Sequence, residues 1–162
     1  MRIRPATAAD IPLMLELERE NPTSVNWSHE HYKSLFRTAP ELSRYFVLVA
    51  EDPPESKSLT VSAIASSMVG YLAAHCVDSD WELQYVAVAK EFRRRGVGTS
   101  LVNEFISHVR ATGGNRIFLE VRESNQGARR LYSTLGFEEA GLRKSYYANP
   151  PEDAILCSLR LY

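Results

Sequence analysis

From Val97 onward, apolar residues fall at Leu101, Val102, Phe105, Ile106 and Val109. These offsets of four, five, eight, nine and twelve place them on one stripe of an amphipathic helix, and Gly113-Gly114 stops it. A second such pattern covers Asn125 to Leu135, with Ala128, Leu131, Tyr132 and Leu135 on one side and Gly136 at the end. Near the start, Thr7-Ala-Ala-Asp10 has the spacing of a capping box with Asp in the Glu position. It opens a helix carrying Ile11, Leu13, Met14, Leu15 and Leu17. Asn21 to Ser24 is a loop, and Ser28 caps a further helix whose apolar side includes Tyr32, Leu35 and Phe36.

Runs of β-forming residues lie between these helices: Arg2 to Arg4 (ended by Pro5), Tyr45 to Ala50, Met68 to Val77, Trp81 to Ala89, Arg116 to Val121, Phe137 to Leu142 and Ala154 to Leu161. Val86-Ala-Val88 makes the fourth run nearly continuous in apolar residues, as a buried central strand should be. Glu91 to Gly98 and Tyr146 to Pro151 are predicted loops. Glu51 to Ser67 reads as an exposed loop with a short extra strand around Val61. The order is strand, two helices, three strands, helix, strand, helix and two strands. That is a mixed α/β chain with helices on both faces of one sheet.

Length and composition narrow the class. The 162 residues suggest one domain over 1–162, and 44% hydrophobic with 24% charged residues is ordinary for a soluble globular protein. A net charge of -1 gives no global field toward nucleic acid or an anionic membrane. Cys76 and Cys157 cannot build a disulfide framework and read as reduced, buried small hydrophobes. The first ten residues lack the apolar core of a signal peptide, and no apolar run approaches the roughly 20 residues of a membrane span. A soluble cytoplasmic protein is expected.

The sharpest chemical signal is Arg93-Arg94-Arg95-Gly96-Val97-Gly98, between a strand and a helix. Glycines let a backbone approach an anion closely, and the first helix turn points unpaired N–H groups outward with a favourable dipole. Together with the arginines they suit a pyrophosphate; the bland alternative is a solvated basic turn. A P-loop is disfavoured because Thr99-Ser100 follows Gly98 with no Lys, and a dinucleotide fingerprint because its third Gly is missing. The second signal is Glu120 within Ile117-Phe-Leu-Glu-Val121, a carboxylate in a predicted central strand that must be paired, for instance with an arginine, or be functional. Asn125 alone reads as an N-cap, and Tyr132 alone as core.

His29 and His31 do not face each other on a helix, so a metal pair is disfavoured. His75-Cys76 point to opposite faces of a strand, which argues against a nucleophile and base. The arginine run lacks the aromatic platform of a nucleic-acid site. Trp27 is core or part of a substrate mouth, with core preferred.

Leu83-Gln-Tyr-Val-Ala-Val88, the Arg93–Gly98 run, Phe118-Leu-Glu-Val-Arg-Glu-Ser-Asn125 and Leu131-Tyr-Ser-Thr-Leu-Gly-Phe137 resemble the successive motifs of GNAT acetyltransferases. Arg143-Lys-Ser-Tyr-Tyr147 followed by Glu152-Asp-Ala154 resembles the branch that acetylates ribosomal-protein N-termini. The resemblance covers about residues 81 to 161. It implies a central mixed, mostly antiparallel sheet of about seven strands with helices on both faces, and acetyl-CoA as co-substrate without a metal. It also implies that the backbone of Val86, Ala87 and Val88 holds the thioester arm. Pyrophosphate would lie against Arg94, Arg95, Gly96, Val97, Gly98 and Thr99, with Arg93 opening the motif, and Asn125 and Tyr132 would also touch the cofactor. Glu120 would be general base, Tyr132 general acid, and Tyr146 and Tyr147 would flank the acceptor. Thr99 stands where a basic residue is common, and Arg129-Arg130 where small apolar residues are usual.

An α-amine with pKa near 7.8 is roughly one-tenth neutral at pH 7, whereas a lysine near 10.4 is about one part in two thousand. One carboxylate therefore suffices for an N-terminal acceptor. The preferred expectation is a protein or peptide N-terminus, a ribosomal protein among the candidates. The alternatives are a small-molecule amine and a catalytically silent acyl-CoA-binding module.

Overall fold

The computed structural model describes residues 1–21, 26–38, 44–52 and 68–162. The predicted loop over 51–67, with its extra strand near Val61, falls almost wholly outside them, as does most of the loop over 21–24. Seven strands form one sheet in the order β1-β2-β3-β4-β5-β7-β6. They are β1 (Arg2–Pro5), β2 (Tyr45–Glu51), β3 (Met68–Val77), β4 (Asp80–Val88), β5 (Arg116–Arg122), β6 (Glu138–Ala148) and β7 (Pro151–Arg160). The helices are α1 (Ile11–Arg19), α2 (His29–Ser34), α3 (Val97–Ala111) and α4 (Gln126–Thr134). Every neighbouring pair is antiparallel except β4 and β5, which are parallel and joined by α3. This is the mixed, mostly antiparallel sheet expected.

Alternation along the strands splits the apolar residues between two cores. Leu72, Leu83, Ile117, Leu119 and Val121 pack against Leu101, Val102, Phe105 and Val109 of α3 and Tyr132 of α4. Val47, Val49, Tyr71 and Ala87 face the other way and pack against Ile11, Met14 and Leu17 of α1 and Tyr32 of α2. Thr7 to Asp10 form a 3-10 turn leading into α1, and Asp10 accepts the Thr7 N–H at 2.7 Å. The same carboxylate takes two bonds from Arg4, at 2.8 and 2.9 Å, while Arg4 also reaches Glu51 at 2.6 Å. Ser28 caps α2 through the His31 N–H at 3.1 Å.

Tyr146 and Tyr147 are corrected from loop to strand. β6 runs on to Ala148, because pairing resumes at Tyr147 opposite Glu152 after an irregularity that begins at Arg143. Cys157 is buried as expected, and Cys76 is half-buried. No helix among the described residues is long and apolar enough to cross a membrane.

Candidate active site

β4 and β5 pair only at Asp80–Arg116, Trp81–Ile117 and Glu82–Phe118. Beyond Glu82 they part. On its other side β4 carries a bulge: Tyr85 lies opposite Ala73 and Leu83 opposite Ala74, so Gln84 has no counterpart. The parting opens a cleft of about 300 Å³. Its walls include Glu82, Gln84, Tyr85 and Val86 from β4, Glu120 and Arg122 from β5, Asn125 and Tyr132 from the α4 segment, and Tyr146 and Tyr147 from β6. Trp27 closes one side.

A split sheet lets side chains from both faces reach one space. Leu119 and Val121 face α3 and α4, so Glu120 between them faces the α1–α2 side. Tyr132 comes from the α3–α4 side. The Glu120 carboxylate pairs with Arg143, whose Nε lies 3.0 Å away, so the arginine pair considered from sequence exists; Glu120 lines the cleft, while Arg143 is exposed. Glu120 also accepts a hydrogen bond from the Tyr146 hydroxyl, which pushes that phenol up to about 12. Tyr147 is raised as well, by burial first and by the Glu120 charge second. Tyr132 is 8% exposed, and its ring packs on Phe137 at 5.6 Å. Burial holds its hydroxyl well above the ordinary phenol value, so it keeps its proton. A carboxylate and a protonated phenol thus border one space, as acid–base chemistry needs.

Asn125 does cap α4, its Oδ1 accepting the Ala128 N–H at 3.1 Å, and it also lines the cleft. Val86 lines the cleft. Ala87 instead packs beneath α1, and Val88 packs toward α3 and α4. Tyr132 packs in the core, as its position alone predicts, and it also lines the cleft. Trp27, preferred as core, is half-buried: its ring packs on Tyr85 at 5.5 Å while it walls the cleft.

The Arg93–Thr99 segment forms a separate turn at the start of α3. Arg94 and Gly96 both take left-handed backbone angles, φ 62° and 82°. The first helical bond runs from Ser100 N–H to Gly96 O at 2.9 Å, so Val97, Gly98 and Thr99 N–H groups have no helical acceptor. Arg93, Arg94 and Arg95 are exposed, and among the described residues no carboxylate pairs with them. Unneutralised cations, open N–H groups and a helix N-terminus together fit a pyrophosphate. The glycines serve different ends. Gly96 needs its positive φ, whereas a Cβ at Gly98 would point to Leu131 Cδ2 at 3.3 Å and Val88 Cγ2 at 3.8 Å, the seam between α3, α4 and β4. Arg129 reaches Glu139 at 2.7 Å and the Glu123 carbonyl at 2.9 Å, an anchor for the start of α4.

Glu82, Gln84, Tyr85 and Arg122 are cleft residues that sequence reasoning missed. Glu82 and Gln84 carry a signal in hindsight, as polar residues inside a run otherwise reading as buried strand. Arg122 shares the face of Glu120 at the two-residue strand period. Among the described residues no group of His, Cys, Asp and Glu is arranged to hold a metal.

The sequence model for the acetyltransferase (GNAT) family matches residues 11–137. The [ribosomal protein bS18]-alanine N-acetyltransferase of Salmonella typhimurium is 38% identical over 94 residues, 57% of this chain and 64% of that protein. Its counterpart in Escherichia coli K12 is 35% identical over the same shares. The chain therefore spans less than two thirds of the length of these relatives. The crystal structure of the ribosomal-protein-S18-alanine N-acetyltransferase from Escherichia coli is similar at a TM-score of 0.77 and 26% identity, over 98% of this chain and 92% of that one. Arabidopsis thaliana NAA60 in complex with a bisubstrate analogue shares the fold at a TM-score of 0.83 and 16% identity, over 98% and 97%.

Proposed function

This chain belongs to the acetyltransferase (GNAT) family, and on that premise we propose that it transfers an acetyl group from acetyl-CoA to the N-terminal α-amine of a protein or peptide. The carrying observation is the parting of β4 and β5 with Glu120 and Tyr132 bordering the same cleft. The turn at Arg93–Thr99 takes the pyrophosphate through backbone N–H groups and guanidinium charge. The unpaired edge of β4 around Val86 holds the thioester arm, with Asn125 beside it. Backbone N–H groups there meet the negative charge that develops on the thioester oxygen.

In the transfer the amine nitrogen forms a bond to the thioester carbonyl carbon, and the carbon–sulfur bond breaks. The amine's proton goes to Glu120, directly or through water, and the departing thiolate takes the proton of Tyr132. The raised Tyr132 hydroxyl supports this, since it still holds a proton at working pH.

For the acceptor, the names of the bacterial relatives and the Tyr146–Tyr147 wall support an N-terminus. The two rings meet edge to face at 5.1 Å and offer apolar faces with polar tips to a peptide backbone. A small first residue, alanine or serine, is the preferred start, and a ribosomal protein is the acceptor class the relatives suggest. The test is a competition with acetyl-CoA among an Ala-initiated peptide, its N-terminally blocked form carrying an internal lysine, and a free polyamine. The α-amine should be acetylated preferentially. Preference for the lysine or the polyamine would overturn the acceptor and leave the acetyl transfer standing.

A further inference from the structure

Arg122 is a buried guanidinium in the cleft wall, 8% exposed and two residues beyond Glu120 on the same face of β5. Its Nη1 donates to Pro150 O at 3.0 Å and to Glu152 Oε2 at 3.3 Å, and its Nη2 to Asn149 O at 3.1 Å. The guanidinium carbon lies 4.1 Å from the centre of the Tyr147 ring. Glu152 in turn accepts the Ser124 N–H at 2.6 Å. One side chain therefore ties the end of β5, the turn that leads into α4, and the turn between β6 and β7.

Backbone bonds supply only part of that tie: the Glu123 N–H donates to Asp153 O at 3.2 Å, and β6 meets β7 again at Tyr147. β6 pairs Arg143 with Ala154 and next pairs Tyr147 with Glu152. Four steps on β6 answer two on β7, so the ladder is interrupted just before Tyr147. Ser145 there has a left-handed φ of 52°. The Tyr147 backbone is paired with Glu152 and the Ser145 N–H donates to Asp153 Oδ1 at 2.7 Å, so what is left to the remaining side chains is the placement of the Tyr147 ring. Among the described residues Arg122 Nε–H has no acceptor. The same pose sets the guanidinium carbon over the Tyr147 ring.

We infer that Arg122 is a positioning residue for the acceptor: it fixes Tyr147 and the bulged β6 segment relative to Glu120 and the start of α4. This rests on the reading of the cleft as the amine-acceptor site. Arg122 touches no reacting atom. It sets how far the acceptor wall stands from the acid–base pair, and small displacements of such a wall cost rate steeply.

The test compares the parent with Arg122→Gln and Arg122→Lys. Steady-state kinetics with an Ala-initiated peptide, calorimetry with acetyl-CoA, and amide hydrogen exchange by NMR are run at a temperature where all are folded. Arg122→Gln should raise the acceptor KM by roughly 10- to 100-fold with acetyl-CoA affinity kept within about twofold. Exchange at Ser124, Ser145 and Tyr147 should speed up by about tenfold or more as the segment opens locally. Arg122→Lys keeps the charge but lacks the forked donors that span two carbonyls, so it should recover only part of the KM. If Arg122→Gln does not fold, Arg122→Lys and Glu152→Gln carry the same comparison. A parental acceptor KM, or equal losses for acceptor and acetyl-CoA, would overturn the inference. Failure of the underlying reading looks different: the parent itself would acetylate no peptide. The exchange rates then still decide, and unchanged rates at Ser145 and Tyr147 would reject a positioning role.

Discussion

Replacing Tyr132 with Phe removes one hydroxyl and leaves the ring against Phe137. Among the described residues none hydrogen-bonds that hydroxyl, so no partner is orphaned and the fold should change by less than about 1 kcal/mol. That corresponds to a melting shift under about 4 °C for a chain of this size. Turnover should respond far more. If the phenol protonates the departing thiolate, its loss costs about 10²- to 10⁴-fold in kcat, or about 3–5 kcal/mol of barrier. The pH profile adds a second constraint. Burial raises the Tyr132 pKa, so the acid form persists up to and beyond the ordinary phenol value near 10. Parental kcat should therefore show no alkaline decline from this group below about pH 9.5. The assay is thiol detection of released CoA at saturating peptide and acetyl-CoA, with calorimetry for acetyl-CoA affinity and a thermal melt for each protein. A Tyr132→Phe enzyme that melts like the parent and turns over within about threefold of it would refute the assignment of the acid. So would an alkaline limb between pH 8 and 9 that vanishes in the variant.

Two further predictions concern the turn before α3 and the turn before α1. Gly96→Ala places a side chain in open space but at φ +82°, so it should cost about 1–2 kcal/mol. Gly98→Ala meets two side-chain tips, Leu131 Cδ2 at 3.3 Å and Val88 Cγ2 at 3.8 Å, and should be nearly neutral; equal losses in thermal melts would contradict this division of roles. The Asp10 carboxyl is held below its ordinary value mainly by its bond from Arg4, opposed by burial and aided by the Thr7 N–H. A lowered folded pKa contributes stability that is present above the unfolded value near 3.9 and is lost as pH falls through the folded one. The stability gap between parent and Asp10→Asn should thus be flat from pH 8 to 5 and close below about pH 4. A gap that persists unchanged to pH 2 would show that the charge is not its source.

Elements with a strict local period were legible in the chain. β3 spans Met68–Val77 as read, and the apolar stripe from Val97 to Val109 is the buried face of α3. The errors fall where a long-range pairing overrides local punctuation. Asn149-Pro150-Pro151 made Tyr146 and Tyr147 look like loop, yet β7 recaptures β6 at Tyr147 after a bulge that turns on a left-handed serine rather than a glycine. Glu120 was findable because a carboxylate is unusual within a buried strand, whereas Asn125, Tyr132, Tyr146 and Tyr147 suit their elements and were singled out only through the family resemblance. Arg122 was not, since its partners lie 27 to 30 residues away and nothing local marks them. Nor does any residue announce that the β4–β5 ladder ends at Glu82.

The position of the cleft follows from topology. β4 and β5 are the one parallel pair, so a crossover must join them, and α3 supplies it over the face that Leu101 and Phe105 bury. Parallel strands end at the same edge. α3 therefore begins where β4 leaves the sheet, and α4 begins where β5 does, which brings two helix N-termini to the edge at which the strands part. Ligands of open α/β sheets gather at such carboxyl ends. Had β4 and β5 stayed paired as far as Val86 and Arg122, the ladder would have consumed the backbone groups around Val86 and closed the cleft that Glu120 and Tyr132 line. The bulge at Gln84 and the interruption before Tyr147 act in the same direction, each turning a strand away from regular pairing beside the cleft. The Arg93–Thr99 turn and the cleft that Glu120 and Tyr132 line thus share one edge of the sheet, because a single crossover places the first and a single break in the sheet opens the second.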